Sequence, residues 1–114
     1  MARFLYYGCS GKDVKALQYW LNFIAAKQGS YLATLNLSSS FDGATFRRVL
    51  EFQWKSGMET KDGIVGAKTR AAIAAAAGIA LATDGALPPA PGSDGQSRPA
   101  DGYDSEYHPR HYDY

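Results

Sequence analysis

Proline is missing from the first 87 of the 114 residues, histidine from the first 107, and cysteine occurs once, as Cys9. Each scarcity excludes something. A single thiol forms no internal disulfide, so stability comes from packing, and Cys9 reads as a small residue near a helix start. The opening MARFLYYGCS has one basic residue and no apolar run of signal-peptide length, and Tyr7-Gly8 is a poor lipoprotein cleavage context before Cys9, so no signal peptide is expected. No stretch is apolar enough to cross a bilayer, since AAIAAAAGIALA is short and mostly alanine. There is no nucleophile beside a base, no phosphate-cradling glycine loop and no carboxylate pair framing a cleft, so the chain does not read as an enzyme. His108 and His111 with Asp104 and Asp113 form an H-x-x-H pattern on a proline-bearing segment, which is weak evidence for a metal site. Neither metal nor cofactor is expected.

What is present is unevenly distributed. Residues 1–82 carry ten Lys+Arg against five Asp+Glu, and residues 83–114 carry two against six, so the overall +1 conceals a basic part and an acidic part. All five prolines fall in the second part, with Gly85, Gly92, Gly95 and Gly102. That composition cannot bury enough surface to offset its ordering entropy and reads as a tail. Two regions are therefore expected, a globular domain over 1–82 and a Pro/Gly-rich acidic tail over 83–114. The basic excess is modest and no recognition motif accompanies it, which argues against nucleic acid as a partner.

Three helices are expected in the first region. Ser10 with Asp13 three residues later reads as a cap for a helix over Lys12–Lys27, stopped by Gly29, whose Val14, Leu17, Leu21 and Ile24 form one stripe. Residues 28–43 form a long connection that still has Tyr31, Leu32, Leu35 and Leu37 to hide. A second helix begins at Asp42 or Gly43 and runs to Ser56, with Thr45, Val49, Phe52 and Gln53 on its core face and Arg47, Arg48, Glu51 and Lys55 on its wet side. The third is alanine-rich and runs from about Gly66 to Leu81. The fold class is thus all-α, a three-helix bundle with a long connection between its first two helices and an irregular C-terminal tail.

The helix openings repeat. Phe41, Thr45 and Val49 are matched by Val65, Thr69 and Ile73, each twenty-four residues later. An apolar residue just before the helix folds back on its first turns, and a Thr and a β-branched residue follow along the same face.

These residues carry a resemblance. Leu5-Tyr6-Tyr7-Gly8, Gly11-Lys12-Asp13-Val14, Leu17-Gln18, Leu21-Asn22, Phe41, Thr45, Val49, Phe52-Gln53, Asp62-Gly63-Ile64-Val65-Gly66 and Thr69 stand in the order and spacing of the type 1 peptidoglycan-binding domain, over about residues 4–76. The chain resembles that family in all but two places. Ser38-Ser39 replaces the first Asp-Gly, three residues before Phe41, and the connection before it is longer than usual. The resemblance implies a bundle that binds the glycan or stem peptide of peptidoglycan without cutting it and tethers another activity or particle to the wall.

Ligand contacts are sought among Tyr19, Trp20, Tyr31, Gln18, Gln53, Asp62 and Gly63, because muramyl-peptide recognition needs flat apolar faces with a few placed amides or carboxylates. Each has a structural alternative. An aromatic on a helix also serves as core rim, Gln18 and Gln53 at the stripe edges can bond the adjoining loop backbone, and Asp62-Gly63 suits a tight turn. Trp54 is a further aromatic candidate.

Helix two also carries a second apolar stripe, Phe46, Leu50 and Trp54, which the bundle does not need. Either the long connection covers it through Leu32, Leu35 and Leu37, or it is a protein interface. In the tail, Tyr103, Tyr107, Tyr112 and Tyr114 in an acidic setting read as a solvated extension or as a segment that docks on a neighbour or on the basic bundle. The expected function is non-catalytic wall binding. The alternative is a structural protein of a phage virion or contractile injection machine that reuses the fold for protein contacts. Without a signal peptide, a virion component made in the cytoplasm still meets the wall from outside.

Overall fold

In the computed structural model, residues 1–91 are described, and they form three helices, α1 (Lys12–Gln28), α2 (Gly43–Lys55) and α3 (Ala67–Ala77), with no strand among them. The all-α bundle follows from the stripes. Val14, Leu17, Leu21 and Ile24 of α1, Val49 and Phe52 of α2 and Ile73 and Ala77 of α3 are buried together with Leu5, Phe41 and Val65. Burying each of the larger side chains fully contributes about 1.5–3 kcal/mol. Phe41 and Val65, the apolar residues that precede α2 and α3, are 2% and 0% exposed, so both copies of the repeat turn inward.

An extended N-terminal segment joins the two copies. Leu5 exchanges both backbone hydrogen bonds with Val65 (3.0 and 2.8 Å). Phe41 N–H donates to the Cys9 carbonyl (2.9 Å), and Gly8 N–H to the Phe41 carbonyl (3.0 Å).

The helix ends differ from expectation in two places, the start of α1 and the end of α3. Ser10 does not cap α1; Gly11 is the N-cap, with no side-chain bond. Asp13 is instead turned to Arg3, whose Nε and Nη2 lie 2.8 and 2.9 Å from its carboxylate oxygens. Gly11 has φ 142°, a backbone conformation that side-chain-bearing residues rarely adopt, so a capping residue is disfavoured there. Asp42 does cap α2, accepting from Thr45 N–H at 2.8 Å. Finally, α3 stops at Ala77 rather than continuing to Leu81, because Gly78 enters the left-handed region (φ 74°) and its N–H returns to the Ala74 carbonyl.

Arg48 also departs from its expected place on the wet side of α2. It is 3% exposed and its guanidinium reaches back across the bundle, donating to the Leu21 carbonyl at 2.6 Å and, at 3.4 Å, to Asn22 Oδ1 and the Ala33 carbonyl. Its Nε lies 3.5 Å from Glu51 Oε1 without forming a hydrogen bond. The long connection is folded down by such contacts. Asn22 grips Leu35 through both its N–H and its carbonyl (2.8 and 2.9 Å), and Glu51 accepts from Ser30 Oγ and Tyr31 N–H (2.7 and 3.0 Å). Leu35 enters the core, whereas Leu32 and Leu37 remain about 40% exposed at most.

After α3 the backbone stays on the bundle as far as Ala90. Leu87 and Ala90 are 7% and 3% exposed, and Trp20 Nε1 donates to the Pro88 carbonyl at 2.9 Å.

Candidate functional site

Two buried amides organise the loops that start α2 and α3. Gln18, on α1, is fully buried; its Nε2 donates to the Ser40 carbonyl (2.9 Å) and Thr45 Oγ1 (3.0 Å), and its Oε1 accepts from Ser39 N–H (3.1 Å). Gln53, on α2, repeats this for the second loop, bonding residues twenty-four positions after those held by Gln18. Its Nε2 donates to the Ile64 carbonyl (3.1 Å) and Thr69 Oγ1 (3.2 Å), and its Oε1 accepts from Gly63 N–H (2.9 Å). An amide suits this task because it offers donor and acceptor together, and the site leaves neither unpaired.

The loop backbones correspond as well. Ser38 Oγ accepts from Ser40 N–H (3.2 Å) where Asp62 Oδ1 accepts from Ile64 N–H (3.0 Å). Ser39 (φ 70°) occupies the left-handed position that Gly63 (φ 78°) takes in the second loop. The loss of the first Asp-Gly therefore leaves the turn intact. What the second loop cannot lose is the missing side chain, because a Cβ on Gly63 would lie 2.2 Å from Cε1 of Phe46. Seven residues before Gln18, the place matching Phe46 is Gly11, which has no ring to set against Ser39.

Beyond the second loop lies an open cleft of about 430 Å³ at the start of α3, flanked by Phe4, Met58, Ile64, Gly66, Lys68 and Thr69. Phe4 is 62% exposed, and Ile64 and Lys68 are exposed too. The pairing of Leu5 with Val65 makes this arrangement: with Leu5 buried, its neighbour Phe4 faces outward, as Ile64 does beside Val65. Asp62 and Glu59 stand on the same rim. Chemically, the cleft combines apolar faces, a lysine, two carboxylates and the opening of a helix.

The predicted ligand residues divide. Asp62 reaches the cleft; Gly63 is buried beneath Phe46, and Gln53 lies behind the loop with its amide committed. Gln18 is likewise committed, to the first loop. Trp20 is a core residue, 9% exposed, with its N–H used by Pro88 and its ring edge-on to Tyr19 and Phe23 (4.8 and 5.3 Å). Tyr31 is 91% exposed with Lys55 Nζ 5.0 Å from its ring centre, and it does not line the cleft. Of the second stripe, Phe46 is half-buried over Gly63, Leu50 is half-buried, and Trp54 is 63% exposed beneath Lys61. The loop before α3 thus covers part of it. Tyr103, Tyr107, Tyr112 and Tyr114 lie outside the described residues. Phe4, Met58, Ile64 and Lys68 were not singled out from sequence as site residues; the alternation of Phe4 against Leu5 is the signal that points to the first of them.

Among known families, the model described as "Putative peptidoglycan binding domain" matches residues 10–73. No curated protein and no solved structure matches the chain.

Proposed function

We propose, since the chain belongs to the peptidoglycan-binding domain family, that it holds bacterial cell wall in the cleft at the start of α3 and tethers an associated activity or particle there. The observation that carries the reading is the exposure of Phe4 and Ile64 on one open cleft beside Asp62 and Lys68. Exposed apolar faces suit sugar rings and alanine side chains, and the flanking charges suit the amines and carboxylates of a stem peptide. Binding proceeds without cleavage: Thr69, a hydroxyl in the cleft, accepts from Gln53 and donates to Met58 Sδ, so no base activates it.

The test is retention on purified, enzyme-free cell walls with size-exclusion chromatography alongside. The chain is expected to be retained as a monomer, and Phe4→Ala to lower retention about tenfold, as befits one lost apolar contact of roughly 1.5 kcal/mol. A wild-type chain that passes over walls unretained overturns the reading.

A second reading follows from Trp54, whose ring is 63% exposed on α2 away from the cleft lining. An exposed Trp favours a protein contact, as in a structural component of a virion or injection machine. Trp54→Asp would dissolve an assembly made through it; unchanged fold and unchanged assembly would dismiss this reading.

A further inference from the structure

The two helix openings share a backbone but not an occupant. Asp42, the N-cap of α2, has φ −104° and ψ −173°; Gly66, the N-cap of α3, has φ −112° and ψ −161°. Phe46 N–H returns to the Asp42 carbonyl (2.9 Å), and Arg70 N–H returns to the Gly66 carbonyl (3.0 Å). At α2 the Asp42 carboxylate accepts from Thr45 N–H (2.8 Å) and Thr45 Oγ1 (2.9 Å) while Gln18 supports the hydroxyl from behind. At α3 Gln53 supports Thr69 in the same way, yet no side chain caps the helix, and the Thr69 hydroxyl, 4% exposed overall, has only Met58 Sδ at 3.9 Å to donate to. A Thr that receives a carboxylate in one copy is presented without one in the other, at the floor of the open cleft.

We propose that α3 takes a ligand carboxylate in the place that Asp42 fills at α2, received by the N–H and hydroxyl of Thr69, with Lys68 at the rim. This rests on the wall-binding reading and narrows it: the group recognised is the free terminal carboxylate of a stem peptide, and Phe4 and Ile64 flank the alanine side chains next to it. A helix N-terminus favours an anion, and both donors are already oriented by the fold. Asp62 does not compete for them, because its carboxylate is held by Ile64 N–H.

The experiment is an amide-resonance titration of the full chain with diacetyl-Lys-D-Ala-D-Ala and with its C-terminal amide. The acid is expected to shift the Thr69 and Lys68 resonances, and the amide to bind at least tenfold more weakly. Gly66→Asp gives the second arm. The added Cβ meets only the Phe4 ring at 3.4 Å, an ordinary contact, so α3 becomes self-capped as α2 is. Its melting temperature should rise by about 1–2 °C, and the acid should no longer shift Thr69. Equal binding of acid and amide, or undiminished binding by Gly66→Asp, overturns the proposal, and the wild-type acid–amide comparison decides it even if the variant does not fold. Retention on walls separates the two levels. Wild type and Gly66→Asp retained alike would sink the carboxylate site and spare wall binding; a Thr69 response without any wall retention would do the reverse.

Discussion

At the start of α2 the chain supplies its own carboxylate, Asp42; at the start of α3 the equivalent residue is Gly66 and the turn opens into a cleft. Behind this difference the two units are nearly superimposable in their bonding, from the buried Gln amide through the left-handed loop residue to the Thr hydroxyl. The comparison teaches which parts of the repeated phrase are architecture. Gln, the apolar flank and Thr close the bundle in both copies, whereas the residue on the helix opening is free to differ and decides whether the opening is filled or available.

The most damaging way to break the likeness is to remove an amide. Gln18→Leu or Gln53→Leu would strip a loop N–H, a loop carbonyl and a Thr hydroxyl of the bond each makes to the buried amide, and each is expected to cost about 3 kcal/mol or more in urea unfolding. Nearly equal losses support the equivalence; a cost confined to one unit would end it.

Next comes the left-handed residue, where the units should part. Gly63→Ala places a methyl against the Phe46 ring in a left-handed backbone and is expected to cost about 2–3 kcal/mol. Ser39 already carries a Cβ at the matching position, so Ser39→Ala should cost less than about 1 kcal/mol, the size of one solvent-accessible hydroxyl contact. Comparable losses at both sites would show that Phe46 does not make the difference.

A smaller effect concerns the caps. Asp42→Ala should destabilise by about 1 kcal/mol, since it strips the α2 opening of its acceptor. The resulting α2 would then resemble α3, and thermal unfolding would measure how much stability α3 forgoes by leaving its opening unfilled.

Much of this architecture was legible in the sequence, and the reason is periodic. The stripes of α1 and α2, the Asp42 start and the inward Phe41 and Val65 are set by local spacing and short-range caps. The misplacements share a cause too, for each depends on a partner distant in sequence. Arg48 reads as solvated on a helical wheel and is buried because Leu21 and the 29–35 connection offer it carbonyls. Trp20 reads as a flat binding face and is core because Pro88 returns to cover its N–H. The cleft eluded the spacing argument because Phe4 and Gly66 are brought together only by the pairing of Leu5 with Val65. The functional class, by contrast, came with the matched phrases, whose residues prove mostly to hold loops and not ligand.

The least expected effect is on acid, and it should separate the two units. The connection before α2 is fastened by a carboxylate, Glu51, whereas the loop before α3 is fastened by a neutral amide, Gln53. Burial pushes the Glu51 carboxyl up, but the bonds from Ser30 and Tyr31 and the charges of Lys55 and Arg48 outweigh it, so it lies below its ordinary 4.5. A depressed carboxyl contributes stability that is present above the unfolded value and is lost as pH falls through the folded one. Asp13 behaves likewise: burial raises it, and the hydrogen bond and charge of Arg3 bring it below 3.8. On lowering the pH from about 6 to about 3, the Tyr31 amide should lose exchange protection, corrected for intrinsic rate, before Gly63 does. Glu51→Gln should remove most of that pH dependence while leaving Gly63 unaffected. Simultaneous loss at both amides would mean that the acid transition is global and that the connection has no separate anchor.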